Sequence, residues 1–279
     1  MFQPNCVVVL PAPELAIKSD LVRGFMEKKL KKNIFHYLKH FNTNYERIIS
    51  HAGRMIILSK EPEKVISSLK SCFGLYSLFL AQEVDFSSLE DLCTKGVLIC
   101  EGILKEGTFA VCGKSFSKDF KSKKLEEELG SKLLEAYPRL KVKLKSPEKE
   151  VFCISFNDKA YFYFDSIPGA KGMPVGSQGK AGLIVTIESK EKELVVLGKN
   201  LLKTGCSLVL VSDEKVIPSL KGLEEFNCFE PLRKLSVIEA KQFYSEGEIR
   251  AFFSTARSIE QVEKDSALLG VKVFVPLLE

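Results

Sequence analysis

No apolar run in this 279-residue chain is long enough to cross a bilayer. The first apolar stretch, Cys6–Leu10, is too short for a secretion-signal core and has no basic flank before it. The expectation is a cytoplasmic protein with no membrane partner. Three histidines, at 36, 40 and 51, are too few and too scattered for a metal cluster. Eight cysteines are present, at 6, 72, 93, 100, 112, 153, 206 and 228, yet no two approach the Cys-x-x-Cys spacing of a structural zinc site. Most lie inside apolar runs, as Cys153 does in Val151–Phe156, and read as buried free thiols of a reducing compartment. No metal is expected. Internal repeats and low-complexity tracts are also missing.

What is present is the composition of a globular protein, 45% hydrophobic and 28% charged, at a length that predicts two or three domains. The net charge of +5 is unevenly spread. Residues 1–175 carry 27 Lys/Arg against 21 Asp/Glu, whereas residues 176–279 carry 14 against 15. A polyanionic partner would bind the first part.

Residues 1–81 read as a small α/β unit. Cys6–Leu10 is a strand, and Ser19 or Asp20 can cap a helix to about Lys39 with Leu21, Val22, Phe25, Met26, Leu30 and Ile34 on one apolar side. Arg47–Ser50 and Met55–Leu58 flank a turn and predict a hairpin. Pro62 opens a second helix, and Tyr76–Leu80 is a strand. The order β-α-β-β-α-β is that of a ferredoxin-like sandwich. Residues 82–172 predict a helix at Ser87–Gly96, a strand at Thr108–Gly113 and a basic loop at Lys114–Lys121. A helix at Lys123–Tyr137 capped by Ser122 follows, then strands at Leu140–Leu144, Val151–Phe156 and Ala160–Phe164. Residues 173–279 alternate strands (Leu183–Ile187, Ser207–Val211, Ala251–Ser254, Val271–Val275) with helical segments (Lys190–Lys203, Lys215–Phe226, Val237–Tyr244, Ile259–Leu269). Gly205 and Gly270 stop two of these helices. This rhythm predicts a parallel, doubly wound, Rossmann-like sheet. The fold class is α/β, with an α+β first half.

Three sets of residues carry a resemblance. Glu14-Leu15-Ala16-Ile17-Lys18 is followed by Phe25-Met26-Glu27. Thr108-Phe109, Lys114, Ser117-Lys118-Asp119-Phe120 and Leu140 through Pro147 form the second set. The third is Gly169–Lys180, Gly-Ala-Lys-Gly-Met-Pro-Val-Gly-Ser-Gln-Gly-Lys. In this order they resemble the tRNA 4-thiouridine synthetases (tRNA sulfurtransferases), which join an N-terminal ferredoxin-like domain, an RNA-binding THUMP domain and a PP-loop ATP-pyrophosphatase domain. The resemblance implies domains at 1–81, 82–172 and 173–279. Pro13 stands where the family has glycine.

That family's phosphate loop reads Ser-Gly-Gly-x-Asp-Ser, and its glycines let backbone N–H groups approach phosphate without Cβ interference. Here Ser189 is followed by Lys190 and Glu191 in place of both glycines. Glu193 stands at the Asp position, and Leu194 removes the final hydroxyl. A carboxylate at 191 against a triphosphate costs on the order of a few kcal/mol in a partly dry site. Ser258-Ile259-Glu260-Gln261-Val262 echoes a later family segment, with Ala256-Arg257 in place of its Gly-Glu. The family's catalytic cysteine lies shortly before that segment, but no cysteine follows Cys228. No catalytic residue is assigned, and Cys206 and Cys228 read as core residues rather than sulfur carriers. No rhodanese domain is expected.

Two basic clusters could meet a tRNA acceptor stem. One is Lys18, Arg23, Lys28, Lys29, Lys31 and Lys32. The other is Lys114, Lys118, Lys121, Lys123 and Lys124, with Lys141, Lys143 and Lys145 nearby; Lys171 and Lys180 mark the glycine-rich segment. Ordinary solubilising lysines are the alternative. Folded RNA is read through shape, phosphates and 2′-hydroxyls, which suits lysine-rich loops, with Phe116 or Phe120 as the candidates for base stacking. The resemblance thus implies tRNA as partner, leaves a separate RNA-modifying or sulfur-carrier enzyme open as a second, and implies a homodimer by analogy. The first expectation is a tRNA-binding protein without ATP-dependent catalysis or cofactor. The second is a divergent tRNA sulfurtransferase that still uses ATP-Mg. The third is a non-RNA interaction protein.

Overall fold

A computed structural model of the chain describes residues 1–279 apart from 52, 216, 218, 219, 228–231 and 277–279. Among the described residues the first elements are β1 (Cys6–Pro11), α1 (Pro13–Ala16), α2 (Asp20–His40), β2 (Arg47–His51), β3 (Arg54–Leu58), α3 (Pro62–Leu69) and β4 (Leu75–Asp85). Then follow α4 (Leu89–Cys100), β5 (Gly107–Ser115), α5 (Ser122–Ala136), β6 (Leu140–Val142), β7 (Lys149–Phe156), β8 (Lys159–Tyr163) and β9 (Ile167–Pro168). The last are β10 (Lys180–Ile184), α6 (Glu191–Lys203), β11 (Ser207–Val211), α7 (Lys221–Glu224), β12 (Lys234–Leu235), α8 (Val237–Ser245), β13 (Ile249–Phe253), α9 (Ile259–Leu269) and β14 (Val273–Phe274).

The chain divides into two compact units. The first comprises Met1–Leu10, Asn44–Ser67 and Ser77–Pro168; the second comprises Pro11–Thr43, Ser68–Tyr76 and Gly169–Glu279. The first unit holds a sheet in the order β2-β3-β1-β4-β8-β7-β5-β6, with β9 on β4. β2-β3-β1-β4 is the strand order of the expected split β-α-β unit. β4 runs past residue 81 and pairs antiparallel with β8, which merges the two predicted strand sets into one sheet. Strand alternation buries both faces. In β7, Cys153 joins a cluster with Leu125, Leu129 and Leu133, which stand at i, i+4, i+8 along α5, and its neighbour Ile154 joins Val8, Ile56, Phe79 and Tyr161.

The second unit holds a parallel sheet in the order β12-β11-β10-β13-β14. Ala181, Leu183 and Val185 pack with Leu194, Leu197 and Leu201 of α6, while Ile184, Val209 and Phe252 pack with Ala240 of α8 and Leu269 of α9. Helices therefore cover both faces, as the alternation of apolar strands predicts. The Gly169–Lys180 segment is a strap rather than a loose linker. Lys171 N–H donates to Leu75 O at 2.7 Å, Met173 N–H to Lys203 O at 2.9 Å and Gln178 N–H to Gly205 O at 3.0 Å.

Several expectations change. The buried seam of α2 starts at Met26 and runs through Leu30, Asn33, Ile34, Tyr37 and Leu38. Leu21 and Phe25, expected on that seam, are 87% and 51% exposed. Lys121, not Ser122, is the N-cap of α5. Ser122 is already helical, and its hydroxyl accepts from Ser115 N–H at 3.0 Å instead. β6 stops at Val142, and Leu144 lies exposed beyond it. Of the helix expected over Lys215–Phe226, only α7 forms among the described residues; 216, 218 and 219 lie outside them, as does Cys228. The stops at Gly205 and Gly270 are present, both at positive φ.

Candidate functional site

β10 and β13 are the strands at which the order of the second sheet reverses, and ligands of open α/β sheets sit at the carboxyl ends of such strands. A cleft of about 280 Å³ opens there, lined by Thr186, Glu188–Lys190, Glu193, Ser254–Ser258, Gln261 and Asp265. The turn at Ser189 closes on itself. Thr186 N–H donates to Ser189 Oγ at 3.0 Å, Ser189 N–H donates to Thr186 O at 3.0 Å, and the two hydroxyls are 3.1 Å apart. Lys190 is the N-cap of α6 and gives no side-chain cap, and Glu191 and Glu193 occupy the first turn. Their charge complements the helix amino end, the place a phosphate would take. Leu194 is fully buried in the core beneath. Arg257 donates to Glu193 Oε1 at 2.6 Å, and Lys190 stands 3.9 Å from the same oxygen. Under the opposite wall, buried Asp265 accepts from Ser254 Oγ at 2.6 Å and from Gln261 Nε2 at 2.9 Å. Sequence reading named Arg257 only as a replacement and passed over Asp265, whose burial no local pattern announces.

In the first unit an open cleft of about 810 Å³ is lined by Phe86–Leu89, Ser117–Phe120, Lys124, Asn157 and Asp158. It brings Lys118 and Lys124 together. The basic loop is folded rather than slack: Asp119 N–H donates to Ser117 Oγ at 3.2 Å and Ser115 Oγ donates to Phe120 O at 2.8 Å. Phe120 is only 6% exposed and belongs to the core, so it is no stacking platform. Phe116 is 41% exposed, stacks on Phe156 at 5.3 Å and meets His51 edge-on at 4.9 Å.

The remaining predicted residues scatter over both units. Lys114 lies exposed one residue before the end of β5, exposed Lys121 stands at the N-cap of α5, and Lys123 pairs with Glu127 at 3.6 Å. Lys141 and Lys143 lie exposed on and just beyond the edge strand β6. In the second unit Lys18 and Lys28 are exposed, Arg23 is engaged by Asp20 at 2.6 Å, and Lys171 sits 5.6 Å over the Tyr76 ring. Lys32 and Lys180 line a further cleft with Lys29 and Arg250.

Five of the described thiols are held protonated by burial rather than activated. Burial pushes Cys93 up to about 11 and Cys100 up to about 12, and raises Cys6, Cys112 and Cys153 as well. Among the described residues no helix is long and apolar enough to cross a membrane.

A ThiI ferredoxin-like domain model matches residues 7–78, and a THUMP domain model matches residues 86–165. A probable tRNA sulfurtransferase of Clostridium kluyveri is 33% identical over 184 residues, 64% of this chain and 46% of that protein. Those of Methanosarcina acetivorans and Saccharolobus islandicus are 30% and 32% identical, over 66% and 62% of this chain and 45% and 46% of theirs. The chain belongs to the THUMP-containing, ThiI-like family. Its matches span less than half the length of these curated relatives. The fold is similar to that of PH1313 from Pyrococcus horikoshii (TM-score 0.76, 22% identity, 98% of this chain and 94% of that one). It is also similar to that of a 4-thiouridine synthetase solved in complex with RNA and bound ATP (TM-score 0.73, 18% identity, 99% and 81%).

Proposed function

We propose that this ThiI-like protein binds tRNA near its acceptor region through the THUMP part of the first unit and serves RNA modification without ATP-dependent catalysis of its own. The observation that carries the reading is the pairing of the ThiI ferredoxin-like and THUMP domains with a Ser189 turn whose backbone is already bonded and whose helix end holds carboxylates. The named relatives are tRNA sulfurtransferases, and one fold neighbour is a 4-thiouridine synthetase with RNA, which supports tRNA as the ligand. In this reading the chain is cytoplasmic, takes no cofactor and consists of three functional parts at 1–81, 82–172 and 173–279. The last of these presents a docking surface to a separate RNA-modifying or sulfur-carrier enzyme or to a second copy. Lys114, Lys118, Lys121, Lys123 and Lys124 form the main phosphate-binding surface, with Lys141 and Lys143 beside them in sequence.

Replacing Lys118, Lys121 and Lys124 by Glu tests it. All three are exposed, so folding survives, and filter retention of tRNA at low salt is lost. Retention equal to wild type moves the surface elsewhere.

One observation favours a second reading, a divergent ATP-dependent sulfurtransferase. The 280 Å³ cleft lies where doubly wound folds hold ligands. ATP-Mg would then raise the melting temperature.

A further inference from the structure

The second unit carries another cleft at the opposite end of its sheet. β10, β11 and β13 begin at Lys180, Ser207 and Ile249, and a cleft of about 410 Å³ opens around these amino ends. One polar side of α2 presents Lys29, Lys32 and His36 to it at helical spacing, and the strands add Lys180 and Arg250. Glu248 is the one carboxylate among its described lining residues, and Lys180 Nζ already holds it at 3.0 Å. Among the described residues no carboxylate lies within 4.0 Å of the Lys29, Lys32 or Arg250 cation.

The cleft is built rather than incidental. Gly176 and Gly179 of the strap have φ of +80° and +92°, the left-handed region that favours glycine. A Cβ on Gly176 would stand 3.3 Å from the Lys29 ammonium, and one on Gly179 would stand 2.9 Å from Arg250 Cγ. Two missing side chains thus leave room for two cations to lie over the strap. Asn33, 4% exposed, donates to Val175 O at 3.1 Å and fixes the strap to α2 beside Lys29. Cations gathered in a half-enclosed space repel one another, and a multiply charged anion offsets that repulsion. The Ser189 cleft lies at the other ends of the same strands, so the two sites are separate.

We propose that this cleft is a phosphate-binding site, with Lys29, Lys32 and Arg250 as the anion ligands and Lys180 held in reserve by Glu248. The phosphate belongs either to a free phosphoanion or to an RNA backbone, and the site goes beyond the lysine surface of the first unit. Isothermal titration of the full chain with sodium pyrophosphate, and separately with a short acceptor-stem RNA duplex, separates the sources. The wild-type chain binds at least one probe, and the Lys29→Gln/Arg250→Gln variant binds it about tenfold more weakly. Loss for pyrophosphate identifies a free phosphoanion; loss confined to the duplex identifies backbone phosphate. Lys221→Gln/Lys241→Gln removes the same charge from exposed positions of the second unit that neither line the cleft nor belong to either basic cluster, and it leaves affinity unchanged. The Lys32→Gln variant, at an exposed position, repeats the loss without touching the strap. Equal binding by wild type and the cleft variants, equal loss in the Lys221/Lys241 control, or no binding of either probe by wild type overturns the proposal. Because pyrophosphate binding does not depend on the THUMP surface, failure here and failure of the tRNA reading are distinguishable.

Discussion

Arg257 donates to Glu193 at 2.6 Å across the mouth of the Ser189 cleft, tying the segment after β13 to the first turn of α6. Glu193 is 18% exposed and Arg257 68%. The carboxylate thus occupies the helix end that an incoming phosphate would need, and the guanidinium is already spent on it. Millimolar ATP-Mg is therefore expected to leave the melting temperature unchanged in differential scanning fluorimetry. A ligand present at a hundredfold excess over its Kd would add about 2.7 kcal/mol, a shift of several degrees that restores the enzymatic reading.

Reinstating a hydroxyl at position 194 does not rebuild a phosphate loop. Leu194 is fully buried against Leu183 and Leu197 on one face of the parallel sheet. Leu194→Ser leaves a cavity and buries a hydroxyl, at a cost of about 3–5 kcal/mol. In urea denaturation this appears as a lower midpoint with unchanged slope. A variant as stable as wild type would show that the first turn of α6 is open to solvent, contrary to the packing described.

The architecture was legible because its periodicities are strong. Alternating strands read correctly, the helix over Lys123–Tyr137 is present as α5, and glycine stops marked two helix ends. Three kinds of feature were not legible. The buried seam of α2 keeps Met26, Leu30 and Ile34 but starts more than a turn later than expected, because Leu21, Val22 and Phe25 continue the apolar pattern into solvent and only tertiary contact decides where burial begins. Ser122 looked like a cap, but its hydroxyl serves the neighbouring Ser115 amide, a competition that sequence does not reveal. Lys29 and Arg250 stand more than two hundred residues apart, and no local pattern joins them. The loss of the phosphate-loop glycines, by contrast, was plain from residue identities alone.

Phe116 and Phe120 looked alike in sequence and part company in the fold. Phe120→Ala is expected to cost about 3–4 kcal/mol of stability, as for any buried phenylalanine. Phe116→Ala leaves stability nearly unchanged. It weakens binding of an RNA bearing a single-stranded 3′ end by about tenfold, since stacking of a base on an aromatic ring contributes about 1–3 kcal/mol. A blunt duplex shows no change. Fluorescence anisotropy with the two RNAs checks this, and equal weakening of both would assign Phe116 to structure rather than to base stacking.

Lys159 predicts a distinctive pH profile for the first unit. Its ammonium bridges Glu83 at 2.8 Å and Asp85 at 2.7 Å, and Tyr161 donates its hydroxyl to Glu83 at 2.7 Å. The hydrogen bond from Lys159, reinforced by its charge, holds the Asp85 carboxyl below its ordinary value of 3.8. The Asp85 contribution to stability is thus complete above that value and disappears as pH falls through the lowered one. The same bonds, to Asp85 and then to Glu83, raise Lys159 above its ordinary 10.5. Its contribution is complete below 10.5 and disappears as pH rises through the raised value. Burial, and then the bond to Glu83, lift the Tyr161 phenol, so Tyr161 stays a donor across this range. Thermal unfolding of wild type and Lys159→Gln between about pH 2.5 and about pH 11.5 should therefore show a constant gap at neutral pH that narrows at both extremes. Parallel curves throughout would mean that Lys159 stabilises the strand pair β4–β8 by packing its methylene stem rather than by charge.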